Sequence, residues 1–282
     1  MMKRREFLKM LAVSIIGGGI APEVLASMSS LPRADMPGRT DDHIKDYLHK
    51  MKYFNKPHKD DILIGRRDYR TFESTVKRLR RLQSYVGHGN FQVLSFDDGL
   101  RVARYSARVG KFSRAELNLL EMIFNEDSAR YGFFGQKPLK KITDRVAKKN
   151  IVKVPYAGNY LYKGLPLETY RKIQKQVGDQ VILTSGIRGV MKQFLLFLNK
   201  VYKHNRNLSL ASRSLAPPGY SFHGIGDFDV GQVGFGVKNF TEQFTATEVF
   251  KRLNDLGYLI LRYPQNNLLG VRFEPWHVKL VL

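Results

Sequence analysis

An α+β fold with a helical first half is what this 282-residue sequence predicts, and three observations lead to it. Apolar residues in the first half recur at helical intervals of three and four. The second half mixes shorter helical patterns with brief strand-like runs, and no segment repeats another. With 43% hydrophobic and 26% charged residues, the chain can bury a sizeable core.

In chain order, the sequence opens Met-Met-Lys-Arg-Arg-Glu-Phe-Leu-Lys-Met, runs through a mildly apolar stretch from Leu11 to Ala21, and reaches Val24-Leu25-Ala26. Arg4-Arg5-Glu6-Phe7-Leu8-Lys9 resembles the twin-arginine export signature. Residues 1–26 are therefore expected to be a signal peptide cleaved near Ala26, with an uncleaved anchor or basic amphipathic helix as the alternative. Residues 27–42 (SMSSLPRADMPGRTDD) lack apolar periodicity and read as a linker.

Residues 43–150 are expected to be mainly helical. Phe72, Val76, Leu79, Leu82 and Val86 form one apolar face of a helix over 69–86, with Lys77, Arg78, Arg80 and Arg81 on the other side. Ser113 followed by Glu116 makes a capping box ahead of Leu117, Leu120, Ile123 and Phe124. The aromatic stretches 131–135 and 156–162 read as loop anchors on a core, or less simply as the lining of a groove.

Residues 151–282 hold the mixed elements. A helix over 166–177 stops at Gly178; a buried strand follows at 181–184, then a helix carrying Phe194, Leu195 and Leu198. Thr245 with Glu248 forms a second capping box leading to Val249, Phe250, Leu253 and Leu256 before Gly257. Residues 258–263 and 271–273 look like the two strands of a terminal hairpin.

Composition also bounds function. No run approaches the roughly 20 apolar residues of a membrane span. There are no cysteines, so thiolate chemistry is excluded and any zinc must be held by His, Asp or Glu. The net charge of +22 favours a polyanionic partner. For an exported protein that partner is an anionic wall polymer or membrane surface sooner than nucleic acid.

Two short segments concentrate reactive side chains. Ser221-Phe-His-Gly-Ile-Gly-Asp-Phe-Asp-Val-Gly231 sets His223, Asp227 and Asp229 among glycines. Glu274-Pro-Trp-His277 pairs a carboxylate with an imidazole three residues on; Pro275 favours a local kink that would let both point inward. His43, His49 and His58 lie in a polar stretch. Arg262 and Trp276 could be packing residues.

Together with Ser185-Gly186-Ile187-Arg188 and Leu261-Arg262-Tyr263-Pro264, these segments resemble the VanY-type D-alanyl-D-alanine carboxypeptidases, zinc peptidases of the bacterial cell wall. The motifs occur in the family's order over about residues 180 to 282. The resemblance implies a small mixed or antiparallel sheet with flanking helices, as in hedgehog and D-Ala-D-Ala peptidase domains, and a zinc peptidase domain over 151–282. It implies one zinc ion held by His223, Asp229 and His277, with Glu274 as the base for the attacking water. Arg188 would stabilise charge on the scissile carbonyl oxygen, and Ser221 would help hold substrate. The family spaces its ligand His and Asp by seven, whereas His223 and Asp229 differ by six, so Asp227 is a rival ligand. The implied activity is hydrolysis of peptidoglycan stem peptides, foremost removal of a terminal D-alanine. An endopeptidase and a non-catalytic wall-binding module are the alternatives.

Overall fold

The structure, a computed structural model, describes residues 41–280 and their side chains from residue 45 onward. The signal peptide expected over 1–26 and the linker up to residue 40 lie outside the described residues. Residues from Lys45 form one compact unit.

The first part is helical: α1 (Asp41–Lys52), α2 (Tyr69–Val86), α3 (His88–Phe91), α4 (Phe96–Tyr105) and α5 (Arg114–Asn125). The apolar periodicity of α2 becomes packing, with Phe72, Val76, Leu79 and Leu82 fully buried. Its basic face is not all solvated: Lys77, Arg80 and Arg81 are exposed, but Arg78 turns toward buried Glu116, Nε to Oε2 at 2.9 Å. Glu116 is also the reciprocal half of the capping box at α5, since its Oε2 accepts from Ser113 N at 2.7 Å. One carboxylate thus starts α5 and ties it to α2.

A two-stranded antiparallel hairpin, β1 (Ile151–Lys153) and β2 (Tyr160–Tyr162), opens the second part. It is followed by α6 (Leu165–Val177), β3 (Val181–Ser185), α7 (Val190–Lys203), α8 (Leu208–Ser212), β4 (Phe228–Gln232), α9 (Glu248–Asp255) and β5 (His277–Val278). Strands β3, β4 and β5 form a three-stranded antiparallel sheet in that order. The fold is α+β, with small antiparallel sheets flanked by helices.

Two sequence expectations are corrected. The cap of α9 is Thr247, whose hydroxyl accepts from Phe250 N, while Thr245 turns its hydroxyl back to Glu242 O in the preceding turn. The terminal hairpin over 258–263 and 271–273 does not form; that region makes a single bridge, Leu261 to Val278. Pro264 has no N–H for a ladder. The Asn267 side chain closes the loop instead, donating to Pro264 O and Val271 O and accepting from Leu269 N. The third strand is the short β5.

Two cores result. The helical one joins α2, α4 and α5 to α7 and α8 through Leu79, Phe96, Leu120, Phe194, Phe197 and Leu208. The other packs α6 and α9 on the sheet through Tyr170, Ile173, Leu183, Phe228, Leu253 and Trp276. Helix α7 belongs to the first core although it directly follows β3 of the second, so the turn between them is anchored at both ends. Truncating Phe194 in such a setting costs about 3–5 kcal/mol. No helix among the described residues is long and apolar enough to cross a membrane.

Candidate metal centre and active site

Sheet register fixes the first two members of the site. Asp229 on the central strand β4 lies opposite His277 on β5 and opposite Ser185 on β3, where a bulge between Leu183 and Ser185 re-aims the end of the strand. Directly opposed residues of an antiparallel pair project to the same face. Asp229 Oδ1 stands 3.2 Å from His277 Nδ1.

His223 arrives by another route. It sits on a single 3₁₀ turn, Phe222–Gly224, and Gly226 at φ +148° swings the chain from that turn toward β4. The segment between His223 and Asp229 is therefore not extended, and counting residues along a strand does not describe it. Even so, His223 Nε2 reaches Asp229 Oδ1 at 3.2 Å. The two imidazoles meet edge to face with centroids 4.9 Å apart.

Each donor is braced from behind. His223 Nδ1–H donates to Gly186 O at 2.8 Å, which leaves the Nε2 lone pair for the site. Gly186 must be glycine: a Cβ there would lie 2.1 Å from Tyr160 O of the β1–β2 hairpin. His277 Nε2–H donates to Asp227 Oδ2 at 2.8 Å; burial works against its charge, but Asp227 and Asp229 outweigh it and raise the imidazole to about 9, so a metal binding at Nδ1 displaces a proton. His223 Nε2 and Asp229 Oδ1 are buried without a hydrogen-bond partner. The three donor atoms lie within 4.8 Å of one another.

That set suits a tetrahedral divalent ion. Bonds of about 2.0–2.1 Å to zinc imply ligand-to-ligand edges of about 3.3 Å, close to the two 3.2 Å separations. Two neutral imidazoles and a carboxylate are a zinc donor set, and the unpaired buried atoms are the ones a metal would satisfy.

Asp227 faces the site from one shell out. Its Oδ2 takes His277 Nε2–H and the Arg262 Nε–H, and its Oδ1 accepts from Leu280 N at 3.0 Å. Burial would raise this carboxyl, but His277 and Arg262 hold it well below the usual range. Three of its roughly four acceptor directions are already used.

The remaining residues singled out from sequence converge on one narrow pocket lined by Arg188, Ser221, His223, Glu274 and His277. Glu274 Oε2 is 3.8 Å from His277 Nδ1, brought there by the turn in which His277 N donates to Glu274 O at 3.3 Å. Burial, with Asp229 adding repulsion, raises the Glu274 carboxyl to about 7. Arg188 donates from Nε to Ser185 Oγ at 2.9 Å and pairs through Nη2 with Asp229 Oδ2, while its Nη1 makes no hydrogen bond to any of the described residues. Two further pocket residues were not foreseen. Gln193, from α7, bridges Arg188 O and Gly219 N at 2.8 Å each, and only the fold brings it there. Tyr263 packs its ring 5.7 Å from that of His277; the Leu-Arg-Tyr-Pro motif was its signal.

Residues 165–281 match the family model described as VanY, D-alanyl-D-alanine carboxypeptidase. No curated relative matches the chain. Among solved structures, the LdcB LD-carboxypeptidase is 23% identical over 48% of this chain and 69% of its own, with a TM-score of 0.40. A VanY D,D-pentapeptidase mutant from a VanB-type resistance cassette, in complex with Zn(II), is 25% identical over 52% and 86%, with a TM-score of 0.38. VanYB in complex with D-alanine-D-alanine is 24% identical over 52% and 83%, with a TM-score of 0.38. The segment that matches the VanY D-alanyl-D-alanine carboxypeptidase model, residues 165–281, is thus the one that carries α6, the three-stranded sheet and all the motifs of the site.

Proposed function

We propose that the protein is a zinc carboxypeptidase that hydrolyses peptidoglycan stem peptides and removes a terminal D-alanine. The observation that carries the reading is the pair of imidazoles whose outer nitrogens are committed to Gly186 O and Asp227, so that both inner nitrogens converge with Asp229 Oδ1 within 4.8 Å. His223, Asp229 and His277 would hold the metal, with Asp227 orienting His277 from outside. When bound there, zinc supplies Lewis acidity for the scissile carbonyl and for the attacking water.

Glu274 is the proposed base. A carboxyl near 7 takes a proton from water at neutral pH and returns it to the leaving amine. Arg188, fixed at two of its nitrogens, keeps Nη1 for the carbonyl oxygen as it gains charge. Ser221 lines the same pocket and is assigned to substrate. In this reading residues 151–282 are the peptidase domain, and the helical region 43–150 supports it through the core shared with α7.

Residues 1–26 would direct export by the twin-arginine route, which places the enzyme in the periplasm or cell envelope. There the net charge of +20 that remains without residues 1–26 favours an anionic wall or membrane surface. The test is to incubate the protein with stem pentapeptide and tetrapeptide, with and without chelator, and to weigh the products. Loss of one D-alanine that stops on chelation is expected. Internal cleavage would make it an endopeptidase, and a folded, zinc-loaded protein that cuts neither peptide would make it a binding module.

A further inference from the structure

Val271 is a wall shared by two cavities. On one side is the catalytic pocket; on the other, a wider cavity of about 580 Å³ lies between the end of α1 and the loop 265–273. Lys52, Phe54, Glu242, Asn266 and Arg272 are among its lining residues.

Arg272 is the unusual member. Its guanidinium carbon lies 5.1 Å from the centroid of the Phe54 ring and 4.8 Å from that of Trp276. Among the described residues, Nη2 donates to Phe240 O at 3.0 Å and Nε is buried with no partner. Among the described residues no carboxylate forms an ion pair with it. Glu274, Glu242 and Asp229 act on it only from a distance, while burial works against its charge. A desolvated cation without a counter-ion is costly to hold, and two aromatic faces offset only part of that cost. Lys52, on the same cavity, adds a second positive charge.

We propose that this cavity is a second subsite, in which Arg272 receives a carboxylate of the acidic peptide that occupies the catalytic pocket across Val271. The inference rests on the reading of the protein as a stem-peptide hydrolase and extends it. A guanidinium with unmatched donors recognises a carboxylate and rejects the isosteric amide, which offers no charge. Specificity would then depend on a free acid in the substrate away from the bond being cut.

Trp276 is the single tryptophan of the chain and packs on Arg272, so its fluorescence reports on the subsite without turnover. Zinc-loaded protein is titrated with glutarate and with glutaramide. Glutarate should give a saturable emission change, glutaramide none, and Arg272→Met, which keeps an unbranched side chain between the rings, should abolish the response. A flat glutarate titration, or one unchanged in Arg272→Met, overturns the proposal. If that variant fails to fold, Arg272→Lys, which keeps the charge but not the planar fork, takes its place, and a response unchanged there overturns the proposal. In parallel, a stem peptide and its carboxamide analogue are compared as substrates. Native enzyme should favour the acid by about 10-fold in kcat/KM, mostly through KM, and Arg272→Met should treat both alike. Absence of any cleavage would overturn the hydrolase reading alone, because the Trp276 titration stands apart from turnover.

Discussion

Asp227 accepts the Nε2–H of His277 at 2.8 Å, and the opposite nitrogen of the same ring, Nδ1, faces Asp229 Oδ1 at 3.2 Å. The two carboxylates that sequence leaves as rivals therefore stand on opposite sides of one imidazole. Partners behind a ligand His fix its tautomer and angle, and their loss typically lowers metal affinity 10–100-fold. Asp227→Asn should weaken zinc binding by about that factor, and Asp229→Asn should abolish it at micromolar metal. Competition with a chromophoric chelator reads both. Equal loss in the two variants would remove the distinction.

Glu274 approaches the metal site without belonging to the set of donor atoms that converge there. Glu274→Gln should keep zinc stoichiometry within error of the native value and lower kcat by about 10²–10⁴-fold. His277→Ala should lose both metal and turnover. Elemental analysis beside a product assay separates these outcomes, and an active Gln variant would take Glu274 out of the reaction.

The backbone behind His223 should be as sensitive as the ligands. Gly186→Ala places a methyl carbon 2.1 Å from Tyr160 O, a contact that backbone alone must relieve. Overpacking of this kind costs about 1–3 kcal/mol, and the shift should reach His223 through its bond to Gly186 O. Denaturant melts and zinc affinity are both expected to fall. Stability lost with affinity intact would mean that the hairpin, not the site, absorbs the strain.

A pH effect on stability should come from a pair remote from the site. Asp61 accepts from Arg213 Nη1 at 2.6 Å, with side chains 3% and 4% exposed, and also from Asn207 and His58 N. Burial raises this carboxyl, but those partners outweigh it and hold it below its ordinary value. A group depressed in the folded state adds stability above its unfolded pKa of about 3.9 and loses it as pH falls through the folded value. Breaking a buried pair costs about 3–5 kcal/mol. Asp61→Asn should lower Tm at pH 7, and the gap from native protein should narrow progressively below about pH 4. Calorimetry across pH 3–7 tests it; a constant gap would show that Asp61 does not titrate with unfolding.

How far the sequence carried depends on the range of the interaction involved. Helices α2, α5 and α6 were legible because their signals are local: the spacing of Phe72 to Leu82, the Ser113–Glu116 box, the stop at Gly178. Thr247 was missed as a cap because Thr245 satisfied the same pattern two residues early. The expected hairpin failed because its bonds are made by the Asn267 side chain, which no alternation of apolar residues can report. His223, Asp229, Glu274 and His277 were nameable from motifs, whereas the work of Asp227 depends on a partner fifty residues away in chain and opposite in the sheet. Gln193 left no trace at all, since its two bonds exist only once α7 is seated.

Helix α7 also sets a limit on how the protein can be divided. The family match begins at residue 165, the first residue of α6, yet α7 turns Phe194, Phe197, Leu198 and Val201 into the helical core built largely from residues before that point. A fragment cut to the matched segment would carry a bare greasy ridge within a few residues of Arg188. It should aggregate or bind whatever covers the ridge, and its pocket would lose the footing that keeps Gln193 in place. The segment that matches the family is shorter than the unit that packs together.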